Sequence, residues 1–259
     1  MATSRWSTFL KRLNRSTDVL KDQTSRVLRM DGANSPSRVP IPLLNFRSPE
    51  DVQNLALGCD SDIGGTSSAK LDFVSDSNAP NGVGYGRLSG HMRLGVQSGL
   101  EGKLRSGYAG FRSKSRRTLF GELTDDISNH EFLALRLKVG GHPRTRNSYF
   151  VNLQTDAPVS GELWQHRLYF QRDDNSWENL FIPFSAFVLT SFGELTSGHT
   201  SIDGEQIRWV GISLLGGNAG VEGPFELGMD SIRAVNREDV TESLKPDPSA
   251  GTQWMRGPL

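Results

Sequence analysis

The sequence predicts an all-β protein, a sandwich or jelly roll of antiparallel strands, with a separate helix at its N-terminus. Three observations lead there. Residues 132–139, FLALRLKV, alternate strictly. Leu133, Leu135, Leu137 and Val139 take one face and Phe132, Ala134, Arg136 and Lys138 the other, the mark of a half-buried strand. Further short segments of strand texture follow one another, most of them divided by Gly, Pro, Asn or Asp clusters: AKLDFV, GYGRLSG, YAGFRS, SYFVNLQT, LWQHRLYFQ, ENLFIPF, WVGISLL and FELGMDSIRAV. The 28 glycines and the spread of aromatic residues suit many strands joined by turns.

Residues 1–30 read differently. Trp6, Phe9, Leu10, Leu13, Leu20, Val27 and Leu28 fall at spacings of three, four and seven, which predicts an amphipathic helix. Arg5, Lys11, Arg12 and Arg15 flank the stripe, and no acid precedes Asp18. Three roles fit: a mitochondrial import signal, a helix docked on the domain or on a partner, and a helix lying on a membrane surface. Residues 31–42, with GANSPSRVPIP, read as a linker. The sandwich is expected over 43–237 and a flexible Pro-rich tail over 238–259, which Trp254 could tie down. Within the sandwich, IPFSAFVLT leaves the sheet as an edge segment, because Pro183 cannot donate to a ladder.

Composition narrows the function. A chain of 259 residues buries enough surface to fold without disulfide staples, and it has one cysteine, Cys59. Lys plus Arg and Asp plus Glu number 29 each, so nothing draws the whole molecule to nucleic acid. No apolar run is long enough to cross a membrane as a helix. None of the five histidines, His91, His130, His142, His166 and His199, sits at ligand spacing from another or from Cys59, so no metal or cofactor is expected. There is no G-x-S-x-G elbow and no P-loop, so no catalytic residue is assigned. GGNAGVEGPF, residues 216–225, is read as a hairpin loop whose glycines permit positive φ. Residues 102–117 carry six cations and no acid. They form either a solvated loop or, through Arg112, Lys114, Arg116 and Arg117, a contact for an acidic protein or a lipid head group.

CDSDIGGTSSAKLDF, residues 59–73, offers three readings. An EF-hand fails, because the twelfth residue from Asp60 is Leu71 where a bidentate Glu belongs. A phosphate cradle should open a helix, and AKLDFV alternates like a strand. What remains is a structural turn, with Gly64 and Gly65 supplying unusual backbone angles and Asp62, Thr66 and Ser67 bonding nearby backbone. A cation held partly by loop carbonyls is the alternative.

SDIGGTSS, SYFVNLQTD, LWQHRLYF, WENLFIPFSAFVLT and IRWVGISLLGGNAGVEGPFELGMDSI occur in one order. Together they resemble the 30-kilodalton complex I intermediate-associated protein family, above all its fungal members, over roughly Leu43 to Ala234. The resemblance implies a galactose-binding-like jelly-roll sandwich. It also implies a non-enzymatic assembly factor of the mitochondrial matrix, peripheral to the inner membrane, that binds membrane-arm intermediates of complex I and other assembly factors. Where the family has Gly-Asp-Gly-Arg before its tyrosine, this chain reads GGHPRTRNSYF, so no role passes from that acid.

Two functions follow. In the first, partners are captured on surfaces, the candidates being the stripe Trp6, Phe9, Leu10 and Leu13 and the four loop cations. In the second, a carbohydrate-binding module, exposed aromatics must line one face with polar groups between them. Trp164, Trp177 and Trp209 are the candidates, and the apolar neighbours of Trp177 and Trp209 place both in the core.

Overall fold

The computed structural model describes residues 2–29, 38–104, 106–156, 161–191, 193–196, 202 and 206–243. Most of the expected linker, the tail from residue 244 with Trp254, and the side chain of Trp6 lie outside them. Two antiparallel sheets face each other across one core.

The chain opens with α1 (Ala2–Arg29) and continues with β1 (Ile41–Asn45), α2 (Pro49–Gln53), β2 (Leu55–Cys59), β3 (Ser68–Ser75) and β4 (Gly84–Met92). There follow β5 (Tyr108–Ser113), β6 (Phe132–Gly141), α3 (Pro143–Arg146), β7 (Tyr149–Thr155), β8 (Glu162–Arg167) and β9 (Glu178–Pro183). The last elements are β10 (Val188–Ser191), β11 (Glu194–Leu195), β12 (Ile207–Leu215), β13 (Gly223–Val235) and α4 (Arg237–Ser243). The first sheet runs β3-β4-β13-β6-β9, and β1 pairs with the far half of β13. The second runs β11-β10-β8-β7-β12-β5-β2. β1 thus begins two residues inside the expected linker.

The alternation of β6 behaves as its sequence requires. Leu133, Leu135, Leu137 and Val139 point inward and are no more than 1% exposed. They meet Tyr149, Val151 and Leu153 of β7 and Ile212 and Leu214 of β12 in a common core. Each buried side chain of this size contributes about 1.5–3 kcal/mol.

Two strands change parity. In β13 the inward residues are Phe225, Leu227 and Met229, then Ile232 and Ala234. The register shifts between Met229 and Ser231, so Asp230 is the extra residue of a bulge that keeps both runs facing the core. The bulge is used: the Asp230 carbonyl accepts from Phe46 N (3.1 Å), and its carboxylate accepts from Asn81 Nδ2 (2.9 Å). β12 shifts register between Ile207 and Trp209 in the same way. That shift turns Trp209 out of the core, contrary to the expectation from its apolar neighbours.

Two connections also differ from expectation. Residues 216–222 do not close a hairpin, because β12 and β13 belong to different sheets. They are a crossover, containing a 3-10 turn at Gly217–Ala219, with Gly220 at φ 62° and Gly223 at φ 130°. After Pro183 a 3-10 turn (Phe184–Ala186) carries the chain from β9 in one sheet to β10 in the other.

Candidate interaction surface

The turn after β2 is organised by a carboxylate that the sequence offered only as the first ligand of an EF-hand. Asp60 is 1% exposed. Its Oδ1 accepts from Ser67 N (3.0 Å), and its Oδ2 accepts from Ser67 Oγ (2.9 Å), Gly107 N (2.5 Å) and Tyr108 N (3.3 Å). One side chain thereby joins the end of β2, the start of β3 and the start of β5. Gly65 packs so tightly on it that a Cβ there would lie 2.3 Å from Asp60 Cγ. Ser67 Oγ also accepts from Arg93 N (3.0 Å) and lies 2.9 Å from Arg93 O, which competes with Asp60 Oδ2 for its single hydroxyl proton. Asp62 Oδ2 accepts from Cys59 N (3.0 Å), Thr66 Oγ1 donates to Gly95 O (2.9 Å), and Gly64 ends the 3-10 turn at φ 105°. The oxygens of Asp60 face N–H and O–H donors, so a cation there would meet the positive ends of those dipoles. Among the described residues, no three His, Cys, Asp or Glu side chains gather as a metal site. Burial raises the pKa of the Tyr108 phenol at the rim of this turn, and Arg112 opposes the rise.

The two segments expected to touch partners come together. Residues 113–122 form a braced excursion from β5. Lys114 Nζ donates to Gln53 O (2.7 Å), Arg116 pairs with Asp125 (2.6 Å), and Arg208 pairs with Glu122 (2.6 Å). Ser115 and Arg208 together hold the Glu122 carboxyl below the usual carboxylate range. A bridge between Arg117 and Glu122 and a bond from Thr118 N to Gly121 O (2.7 Å) tighten the tip, where Leu119 is 45% and Phe120 76% exposed. α1 lies beside this tip. Leu119 N donates to Ser16 Oγ (3.0 Å), and Arg15 Nη1 reaches Arg117 O (3.4 Å). Ser16 is 2% exposed, whereas Phe9, Leu10, Leu13 and Leu20 stay 36–49% exposed. Leu13 and Leu20 are three and four residues from Ser16, so they share the helix face that bonds to Leu119.

A cavity of about 400 Å³ opens beside this junction, lined by Arg15, Lys114, Arg116, Asp125 and Trp209 among others. Of the four expected cations, Lys114 and Arg116 brace the loop and Arg117 is exposed at its tip. Arg112 stands apart on the outer face of β5, its guanidinium 5.5 Å from the centre of the Trp209 ring. Leu119 and Phe120 were missed, although a pair of large apolar residues in a tight Thr-Leu-Phe-Gly turn was a readable signal.

The three tryptophans form no row. Trp164 is 6% exposed in the core. Trp209 on β12 and Trp177 in the loop just before β9 are half-buried, and neither belongs to the core where both were expected. Arg112 covers one. The other packs edge-on against Tyr85 (5.4 Å between ring centres), with Lys138 Nζ above both rings.

The fold defines the class first: an antiparallel two-sheet jelly-roll sandwich. It is similar to the family 11 carbohydrate-binding module of Clostridium thermocellum, with a TM-score of 0.51 and 18% identity over 78% of this chain and 98% of that one. Sequence carries the assignment further. Residues 44–229 match the family model of complex I intermediate-associated protein 30, and the chain belongs to that family. It is 32% identical to the mitochondrial complex I intermediate-associated protein 30 of Neurospora crassa, over 96% of this chain and 90% of that protein. It is 28% identical to the Drosophila melanogaster protein of the same name, spanning 73% of this chain and 61% of the relative.

Proposed function

We propose that this protein is a non-catalytic assembly factor of mitochondrial NADH:ubiquinone oxidoreductase, complex I. It holds membrane-arm intermediates from the matrix side and lies on the inner membrane without crossing it. One observation carries the reading: the family match spans nearly the whole sandwich, and the similarity to the Neurospora protein extends across almost the full length of both chains. Among the described residues no helix is long and apolar enough to span a bilayer.

The helix–loop junction is the surface that suits the task. Apolar anchors at the centre of an interface carry most of its energy, while charges at its rim set encounter rate and salt dependence. Phe120, Leu119, Leu13 and Leu20 are such anchors, and Arg117, Lys11, Arg12 and Arg15 form such a rim. The bracing around Arg116 and Glu122 presents the tip in one geometry, which lowers the ordering cost of binding. The test is native-gel separation of mitochondria followed by protein identification. The protein is expected to migrate with partial membrane arms and to be scarce in the finished enzyme. Migration only as a free monomer would refute the proposal.

A further inference from the structure

The six-stranded sheet carries a second surface, remote in sequence from the helix–loop junction. A groove of about 870 Å³ runs along β9 and the chain that follows β8. β9 is the end strand of its sheet. Among the described residues it pairs with β6 alone, and no backbone hydrogen bond engages its outer edge. The sheet's other edge, β3, is guarded by Lys70 and Asp72, with Arg87 bound to Asp72 (3.0 Å). Such charges are the usual protection of an exposed edge. β9 carries Glu178 and Pro183 only at its two ends, and the stretch between them, Asn179, Leu180, Phe181 and Ile182, has no charge.

The groove is cationic. Arg136, Arg167 and Arg172 line it against a single carboxylate, Glu178. None of the three arginines makes an ion pair among the described residues. Their partners are neutral: Asn179 Oδ1 (3.1 Å), Asn147 O (2.6 Å) and Ser176 Oγ (3.0 Å), respectively. Three buried atoms in the wall have no hydrogen-bond partner: Arg136 Nε, a donor; Glu178 Oε1, an acceptor; and His166 Nδ1, which serves as either. Burying such groups unpaired costs more than a made hydrogen bond returns. A small anion would satisfy the donor and be repelled by Glu178. A peptide backbone supplies a carbonyl for one and an N–H for the other.

We propose that this groove takes an extended acidic segment of a partner protein, laid along the outer edge of β9, with its carboxylates on Arg136, Arg167 and Arg172. Strand addition of this kind draws affinity from main-chain hydrogen bonds and specificity from alternate side chains. The proposal rests on the reading of this protein as a factor that holds other chains.

The test uses the full chain and two labelled heptapeptides, Glu-Leu-Glu-Phe-Glu-Leu-Glu and its counterpart with Lys for Glu, followed by fluorescence anisotropy. The acidic peptide is expected to bind saturably, more weakly at higher salt, and the basic one not to bind. Arg136→Glu with Arg172→Glu should weaken binding at least about tenfold, a change of about 1.4 kcal/mol. Arg172→Gln, at an exposed position, keeps the test valid if the double variant does not fold. Amide hydrogen exchange at Asn179 and Phe181, whose N–H groups point to the outer edge, should slow when the peptide binds. Failure of the acidic peptide to bind, equal binding of the basic one, or protection confined to another strand overturns the proposal. If the acidic peptide fails while the protein still migrates with complex I intermediates, the groove assignment falls and the assembly role stands. If the peptide binds and the protein never meets those intermediates, the groove stands and its partner belongs elsewhere.

Discussion

At the residue scale the CDSDIGG stretch turns on Asp60. A buried carboxylate accepting four donors loses about 1.5–3 kcal/mol when its charge is removed, so Asp60→Asn should lower the melting temperature clearly. Asp62 accepts from one backbone N–H, and Asp62→Ala should cost about 0.5–2 kcal/mol. Melts with calcium and with chelator should coincide, because the Asp60 oxygens already face donors. A chelator-induced drop that Asp60→Asn abolishes would reinstate the cation. Asp60 was not legible as the organiser because Gly107, which it holds, lies 47 residues along the chain. His166 offers a second test. Burial depresses its pKa below 6.5, while a backbone hydrogen bond at Arg167 opposes the shift. The folded state therefore favours the neutral ring. Its stabilisation is complete above the unfolded pKa and fades as pH falls towards the folded one. The melting temperature should fall as pH drops through 6.5 and below, and less steeply in His166→Gln.

At the element scale the alternation of FLALRLKV was enough to orient β6, because inward and outward residues keep strict parity there. β13 and β12 were legible as strands, but the faces their residues take were not. A bulge changes parity without changing composition, and whether Asp230 is paired or extra depends on β6 beside it. This gives a sharp contrast. Asp230→Ala keeps the bulge and removes the bond from Asn81, so it should cost about 1–3 kcal/mol in a denaturant titration. Deleting Asp230 would turn Ile232 and Ala234 to solvent and undo the pairing with β1, and it should leave no cooperative unfolding transition. Equal effects of the two changes would refute the parity account. The misread hairpin at residues 216–225 has the same origin. Positive-φ glycines mark a turn, and they do not say whether the next strand joins the same sheet.

At the scale of the whole molecule, the sandwich and the helix were legible from texture, and docking of the helix on the domain was one of three readings; where it docks was not legible, because that depends on Ser16 meeting Leu119. The surface they make together yields a graded expectation. Phe120→Ser removes an anchor whose side chain is largely exposed, so capture of complex I intermediates should fall about tenfold or more, with little change in melting temperature. Replacing Arg112, Lys114, Arg116 and Arg117 by Ser should weaken capture modestly and reduce its salt sensitivity. Part of that effect would come from loosening the loop that Lys114 and Arg116 brace. Equal salt dependence before and after would remove the cations from the interface. The central claim is that the sandwich serves complex I by holding its unfinished membrane arm. The most direct measurement is a complexome profile of mitochondria from a strain lacking the protein. Membrane-arm intermediates should be lost or stalled and finished complex I depleted, with both restored by the wild-type chain. Normal levels of finished complex I in that strain would contradict the account.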